Sequence, residues 1–428
     1  MRDTTTVWPT ALQNLKAASR FRPGDMVNWS RLVKPLRVNQ REAPDFDLLG
    51  LFFHMFTRMP FDYTPHRATT GLPTPWRIAP ARRLAGEPTV GLFVDAPDHL
   101  SGVATTLNNW NTHARRRGLS FRVHSAGDHP VIEGAANFPQ TGTFRLAAYE
   151  GLSLRMTNVA DVMHYVNLSD IDVFHLSTPG PVGLIGLLAA RSRQRPVVST
   201  FHTHFPAYVA RLTGDPQLED VAWSYMTWFY GQMDRTAAPS HAVRDELISR
   251  GLPAENVVVV GRGVDTNTFH PCHRSELLRA TWGCTSGQRA LLYVGRLSRE
   301  KNLDVLVDAL RDLFAARSDL VMVFVGEGPH EAALRTALHG LPVVFAGKQR
   351  GEDLSAHYAS ADLFLFPSET DTLGNVVLEA QASSLPVIVS AKGGPRDCTI
   401  DGATGLVLPQ TDGLHLAAAV ESILDTPG

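Results

Sequence analysis

The sequence predicts an α/β protein built from two doubly wound parallel-sheet domains, and three observations carry that prediction. Its 428 residues are more than one hydrophobic core usually serves, because cores stop growing at roughly 250–300 residues. From residue 88 onward, apolar runs of strand length alternate with segments of helical period, as parallel strands joined by helical crossovers require. Glycine turns follow several of those runs, at the strand ends where such sheets meet their ligands.

Taken in order, residues 1–85 are an extension outside this rhythm. Lys16, Arg20, Arg22, Arg31, Lys34, Arg37 and Arg41 are opposed between them only by Asp25, and FDLLGLFFHMFTRMPF follows. A basic stretch beside an aromatic one suits a helix packed on the body, a dimer contact, or peripheral contact with an anionic membrane surface. The first domain is expected over 86–265. PTVGLFVDAP is its opening strand, and HLSGVATTLNNWNTHARRRG is a turn at Gly102 leading into a helix. SFRVHSAG, IDVFHLS and RPVVSTFHTH are further strands, with VGLIGLLAARSRQR as a helix between the last two. A helix in AWSYMTWFYGQM, the strand DRTAAPS, a helix stopped at Gly251 and the buried strand NVVVVGRGV follow. VDTNTFHPCHRS has little periodicity and reads as a linker, which puts the boundary within 262–280.

The second domain, over 266–412, restarts the alternation. Its strands are RALLYVG, DLVMVFVGEG, LPVVFAG, ADLFLFPS and LPVIVSA, and its helices include LDVLVDALRDLFAA, HEAALRTALHG and a segment near Asn375 to Ser384. A final helix over 413–428 is expected to pack back on the first domain.

Composition excludes several classes. Hydrophobic residues at 44% against 19% charged suit a soluble globular chain and argue against disorder. Forty Lys plus Arg against 42 Asp plus Glu leave a net charge of -2, which gives nucleic acid no global attraction. Cys272, Cys284 and Cys398 are too few and too scattered for a disulfide framework and favour a reducing compartment. The opening MRDTTTVWPTALQNL lacks the basic and apolar regions of a signal peptide, and no run reaches the roughly 18–20 apolar residues that span a bilayer. The expected location is the cytoplasm, with the cytoplasmic face of the membrane as the alternative contact.

Four stretches could carry chemistry. In GRLSREKN a strand ends at Gly295 and a helix begins soon after. Arg296 and Lys301 there could face a diphosphate across the turn, or lie on a solvated charged loop. VGEGPH places Gly326 and Gly328 after a strand, where backbone could approach a nucleotide or merely turn. In SETDTLGNVVLE, Leu373 and Gly374 precede a helix whose free N–H groups favour a phosphate or hydroxyl ligand. Asp371 in the preceding loop could accept hydrogen bonds from sugar hydroxyls. Glu379 shares a helical face with Asn375. The bland alternative makes Asp371 or Thr372 a helix cap and Glu379 a solvated side chain. STFHTHFPAY carries His202 and His204, which share a face if the segment is extended and separate if it is not. Neither this pair nor the His270–His273 HPCH has a convincing further ligand, so no metal is expected. A GxGxxG fingerprint and a GKST phosphate loop are both absent, which weakens dinucleotide oxidoreduction and nucleotide hydrolysis.

Together GRLSREKNLDVLVDAL, VFVGEGP, ADLFLFPSETDTLGNVVLEAQASSLPVIVSAKGGPRD and GATGLVL resemble the retaining GT-B glycosyltransferases of family GT4, the group 1 glycosyltransferases. STPGPVGLIGLLAA, TFHTHFPAY and GRGVDTNTF extend the resemblance through the first half. It covers about residues 88 to 425 and, through HTHFPAY and TLGNVVLE, leans toward the branch with bacterial lipid mannosyltransferases and sulfoquinovosyl transferases. The resemblance implies two Rossmann-like domains facing across a cleft, with a nucleotide-diphosphate sugar against the second and a hydroxyl acceptor, such as a glycolipid, against the first. GDP-mannose or another nucleotide hexose is the implied donor, and no cofactor is implied.

By the same resemblance Arg296 and Lys301 contact the donor diphosphate, beside Gly295, Gly326 and Gly328. Glu379 holds the ribose hydroxyls, with Asn375 on the same helical face to orient its carboxylate, while the loop from Asp371 to Gly374 positions the transferred sugar with the backbone N–H groups around Leu373 and Gly374. His202 falls at the family's first-domain histidine near the reacting sugar, and Gly102 in the loop below phosphate and acceptor. One departure stands out: the family pattern is Glu, seven residues, Glu, and here the first member is Asp371, shorter by one methylene. A sugar-nucleotide epimerase or phosphorylase, or a catalytically idle carbohydrate-binding protein, are the competing classes.

Overall fold

A computed structural model of the protein describes residues 61–65, 87–95, 102–127, 132, 134–146, 153–213 and 216–425. The basic run of the extension and nearly all of its aromatic run therefore lie outside the described residues. The strands are β1 (Phe61–Pro65), β2 (Val90–Phe93), β3 (Phe121–Ala126), β4 (Ala136–Phe138), β5 (Gln140–Leu146), β6 (Ser153–Thr157), β7 (Val173–Leu176), β8 (Val197–Thr200), β9 (Arg235–Ala238) and β10 (Val257–Val259). They continue as β11 (Arg289–Val294), β12 (Leu320–Val325), β13 (Val343–Gly347), β14 (Leu363–Phe366), β15 (Val387–Ser390) and β16 (Gly405–Leu408). The helices are α1 (Gly102–Arg117), α2 (Val159–Leu168), α3 (Pro181–Ser192), α4 (Phe205–Thr213), α5 (Pro216–Gly231) and α6 (His241–Ser249). Then come α7 (Glu276–Thr281), α8 (Asp304–Ala316), α9 (Glu331–Ala337), α10 (Gly351–Ser360), α11 (Asn375–Ala382) and α12 (Gly413–Asp425).

Two parallel sheets result, as the alternating pattern predicts. One has seven strands in the order β10-β9-β8-β7-β2-β3-β4, and the other six in the order β13-β12-β11-β14-β15-β16. Their strands read as continuous apolar runs because both faces are covered: all six residues of LVMVFV in β12 and all four of LFLF in β14 are buried. Both orders turn back on themselves. In the seven-stranded sheet the chain runs outward from β2 to β4 and returns to β7 beside β2; in the six-stranded sheet it runs from β11 to β13 and returns to β14 beside β11. Loops leaving such neighbours diverge and leave a crevice at the strand ends. A three-stranded sheet, β1-β5-β6, is antiparallel and was not expected from the sequence.

The chain forms two compact units, and it crosses between them more than once. One takes the chain up to Phe201 with Asp220–Ala237 and Gly251–Asn256; the other takes His202–Glu219, Ala238–Arg250 and everything from Val257. The stretch VDTNTFHPCHRS, expected as a linker, is part of the second unit. Phe269 meets the buried Tyr358 edge-on at 5.6 Å, the Ser355 hydroxyl donates to the Thr268 carbonyl, and Pro271–His273 form a 3-10 turn. The expectation that the last helix packs on the first domain is also corrected. Leu416, Ala417, Ala419 and Val420 of α12 join the core of the six-stranded sheet, against α8, so its apolar stripe is covered within the second unit.

In the first unit, Asp95 lies two residues past the end of β2 and is 1% exposed. Helix α3 starts at Gly180-Pro181, with no side-chain cap of its own. Asp95 supplies one from across the sheet, accepting from Gly180 N at 3.0 Å and Val182 N at 2.7 Å, and from the Thr178 hydroxyl at 2.5 Å. A side chain at Gly180 would put its Cβ 2.5 Å from that carboxyl carbon. Burial pushes the Asp95 pKa up to about 6, with hydrogen bonds from the Thr178 hydroxyl and the Val182, Gly183 and Gly180 backbone pulling the other way.

Candidate functional site

The second unit's turn-back point lies between β11 and β14, and the loops that leave these strands carry most of the predicted residues. After β11, Gly295 adopts φ +156° and the Tyr293 hydroxyl donates to the Arg296 carbonyl at 3.0 Å. The chain then makes a 3-10 turn, Arg299–Lys301, closed by Asn302 in the left-handed conformation. After β14 comes the loop from Pro367 to Gly374. Lys301 Nζ donates to both Asp371 carboxylate oxygens at 2.8 Å, and sits 6.0 Å from the Phe366 ring centroid. The two loops are tied again where the Thr370 hydroxyl donates to the Glu300 carbonyl at 3.1 Å. Burial opposes the Lys301 charge, but the Asp371 carboxylate, with Tyr208 and Tyr293, more than offsets it and holds the ammonium pKa above its usual value.

Gly326 and Gly328 are required by the packing of two loops on each other. A Cβ on Gly326 would fall 1.9 Å from the Gly295 carbonyl oxygen, and one on Gly328 2.2 Å from that of Leu297. The backbone zips accordingly, Leu297 N to Glu327 O at 3.0 Å and His330 N to Leu297 O at 2.9 Å. These glycines hold the Arg296 turn in place from behind.

Gly374, at φ +85°, sits at the N-terminus of α11 without a side-chain cap, so neither Asp371 nor Thr372 caps the helix. Leu373 is buried. The glycine pair of SAKGGPRD backs this loop: Gly394 N donates to Asp371 O at 2.8 Å, and a Cβ on Gly394 would meet the Thr372 carbonyl at 2.0 Å. Four residues into α11, Glu379 accepts from the Tyr358 hydroxyl at 2.9 Å. Burial raises its carboxyl pKa, and the Tyr358 bond only partly offsets that.

His202 belongs to this unit, although the sequence places it in the first half of the chain. Its carbonyl accepts from the Thr372 hydroxyl at 2.9 Å, and its Nδ1 lies 3.0 Å from Arg262 Nη2. Arg262 Nη1 reaches Asn375 Oδ1 at 3.3 Å. His204 has separated from it and does structural work: its Nδ1 accepts from Ala207 N at 3.1 Å in the first turn of α4, and its Nε2 pairs with Glu246 at 2.9 Å. His270 likewise caps its own turn by accepting from Cys272 N. Among the described residues no group of three or more His, Cys, Asp or Glu is placed to hold a metal ion, and no helix is long and apolar enough to cross a membrane.

Of the predicted residues, the second unit thus gathers His202, Lys301, Asp371, Leu373, Gly374 and Asn375 through direct bonds or adjacency. Arg296 is on the same turn as Lys301, and Glu379 is one turn along α11 from Asn375. Gly102 opens α1 in the first unit. Sequence reasoning missed Arg262, Tyr208 and Tyr358. Arg262 did leave a signal, because GRG after β10 repeats the strand-glycine-arginine order of VGR after β11.

Residues 288–426 match the family described as glycosyl transferases group 1, and residues 100–268 match glycosyltransferase family 4. The chain is 34% identical to a GDP-mannose-dependent alpha-mannosyltransferase of Corynebacterium glutamicum over 76% of this chain and 78% of that one. It is 35% identical to the sulfoquinovosyl transferase SQD2 of Arabidopsis thaliana over 76% of this chain and 64% of that one. The chain likewise spans 61 and 65% of the length of GDP-mannose-dependent alpha-mannosyltransferases of Mycobacterium tuberculosis and Mycolicibacterium smegmatis, each 39% identical over 56 and 60% of this chain. In fold it resembles Anabaena Alr3699/HepE, crystallised with UDP and glucose, with a TM-score of 0.62 at 19% identity over 79% of this chain and 90% of that one.

Proposed function

The chain belongs to the group 1, family 4 glycosyltransferases and has their GT-B fold, and from that premise we propose that it transfers a hexose from a nucleotide-diphosphate sugar to a hydroxyl acceptor with retention of configuration. Mannose from GDP-mannose is the donor we favour, and a glycolipid the acceptor, because the curated relatives include GDP-mannose-dependent mannosyltransferases and an alpha-monoglucosyldiacylglycerol synthase. The observation that carries the reading is the two-armed Lys301–Asp371 pair at the point where the six-stranded sheet turns back.

In this reading Lys301, with Arg296 on the same turn, balances the charge that develops on the departing diphosphate. Asp371 turns from the ammonium to the hydroxyls of the transferred sugar, and α11 offers its uncapped first N–H groups beside Leu373 and Gly374. Glu379, aimed by Tyr358, accepts from the ribose hydroxyls. The acceptor hydroxyl attacks from the face that the diphosphate leaves; the new glycosidic bond forms as the old one breaks, and the hydroxyl proton passes to the departing phosphate. No protein nucleophile and no divalent metal enter this scheme. A cytoplasmic location, peripheral to the membrane when the acceptor is a lipid, goes with it.

The test is a binding panel of nucleotide hexoses followed by product mass with lipid and soluble acceptors, each with and without chelator. A product heavier than the acceptor by one hexose, with chelator harmless, supports the proposal. Tight donor binding without transfer marks an idle carbohydrate-binding protein, and an altered sugar nucleotide formed without acceptor marks an epimerase.

A further inference from the structure

Arg262 has no role in the proposed reaction so far, yet it is the side chain that joins His202 to the loop of the Lys301–Asp371 pair. A guanidinium has five donors and no acceptor. The 3.0 Å contact between Arg262 Nη2 and His202 Nδ1 therefore requires a lone pair on Nδ1, and a neutral imidazole with that lone pair carries its proton on Nε2. An imidazolium would point an N–H at the guanidinium and is disfavoured by geometry and charge together. The titratable groups acting on Arg262 are the Asp371 carboxylate and the Cys398 thiol; burial pushes the thiol up to about 12, and it donates to the Leu373 carbonyl, so it is uncharged near neutrality. Burial draws the Arg262 pKa down to about 10 and these two groups push it back, so the guanidinium stays charged near neutrality.

The fork has a second arm. Nη1 donates to Asn375 Oδ1 at 3.3 Å, at the first residue of α11, while the Thr372 hydroxyl holds the His202 carbonyl at 2.9 Å and the Ser240 hydroxyl donates to the Thr372 carbonyl at 2.8 Å. Ring and backbone of His202 are thus both fastened to residues 372–375, the stretch that also positions Asp371. A lysine would reach one of the two partners; the planar fork reaches both.

We propose that Arg262 is a positioning residue that locks His202 in the neutral, Nε2-protonated tautomer and couples its ring to the sugar-binding loop, so that His202 serves as a hydrogen-bond donor and never as a general base. The claim about tautomer stands on the contact alone; the claim about catalysis rests on the reading of this unit as the donor-sugar site.

The experiment is nitrogen-15 NMR of the histidine side chains of the full chain, with His202 assigned by His202→Gln, for the wild type, Arg262→Met and Arg262→Lys. Kinetics of hexose transfer are measured on the same proteins. The wild type is expected to show His202 as a single Nε2–H tautomer from pH 6 to 8. Arg262→Met is expected to give a mixture of tautomers and to lower kcat by roughly 10- to 100-fold with a smaller change in KM. Arg262→Lys, which keeps a single donating nitrogen able to reach His202 or Asn375 but not both, should restore the tautomer and part of kcat. A wild-type His202 protonated on Nδ1, or on both nitrogens, overturns the proposal even if Arg262→Met does not fold. Unchanged kcat in Arg262→Met with an altered tautomer overturns the catalytic half. Absence of transfer in the wild type overturns the glycosyltransferase reading and leaves the tautomer result to stand by itself.

Discussion

Each parallel sheet turns back on itself once beside its first strand, and a charged group sits at each of those points, but the two are used in opposite ways. Between β2 and β7 the Asp95 carboxylate is bound by two backbone N–H groups and a hydroxyl that belong to the fold. Those donors cannot leave without undoing the start of α3. Between β11 and β14 the charges of Lys301 and Asp371 satisfy each other through side chains 11% and 21% exposed. A diphosphate can take the ammonium and a sugar hydroxyl the carboxylate, with no backbone bond lost. A crevice closed by backbone partners is structure; one closed by two side chains that pair with each other remains available to a ligand of the same charges.

The sharpest break of this contrast is Lys301→Met. It removes the charge that the proposed reaction sets against the leaving group, and transfer should fall by roughly a thousandfold, about 4 kcal/mol, in a steady-state assay, while the urea midpoint falls as well because Asp371 loses its partner. Next in size, Asp95→Ala should cost about 2–3 kcal/mol of stability by chemical denaturation, because it strands the donors at the start of α3. Asp95 also sets a pH signature. Its pKa is about 6 in the fold against an ordinary 3.8, so the fold favours its protonated form, and the stability linked to that proton is complete below about pH 3.8 and lost as pH rises through about 6, apart from what the capping bonds contribute. The slope over that window should vanish in Asp95→Ala.

Asp371→Asn frees Lys301 while leaving a hydroxyl-binding group of the same shape. Transfer should fall by roughly 10- to 100-fold with donor affinity held or improved, measured by calorimetry beside kinetics; full activity would remove Asp371 from the mechanism. Asp371→Glu, which restores the family's side-chain length, tests whether the missing methylene tunes the choice of sugar. The smallest effect is expected at Glu379. Glu379→Gln should weaken donor binding by about tenfold. It should also raise the melting temperature at neutral pH, because the carboxyl pKa is raised in the fold and its ionisation opposes folding. That gain should shrink as pH falls through the raised pKa to below the ordinary value of 4.5.

What the sequence made legible followed from local rules. The parallel strands stand out because burial on both faces leaves unbroken apolar runs such as LVMVFV and LFLF, and the loops after β11 and β12 stand out because glycines mark those strand ends. The antiparallel β1-β5-β6 sheet is carried by FDYTP, QTGTFRL and SLRMT, which are short and mixed in polarity, so they leave no comparable run. VDTNTFHPCHRS looked like a linker because Phe269 is its one aromatic anchor and its partner Tyr358 is far along the chain. Arg262 was invisible as a site residue for a related reason: its role depends on His202, 60 residues away, and on Asn375, 113 residues away. Asp95 reads in the sequence only as the tail of its strand, since nothing local announces that a carboxylate will cap a helix that begins beyond residue 180.

The most direct measurement is proton NMR of the product formed from an α-linked nucleotide hexose, followed in time for the wild type and Lys301→Met. The account predicts an α-linked product from the wild type and a rate lower by roughly a thousandfold in the variant. An inverted product, or equal rates from the two proteins, would contradict it.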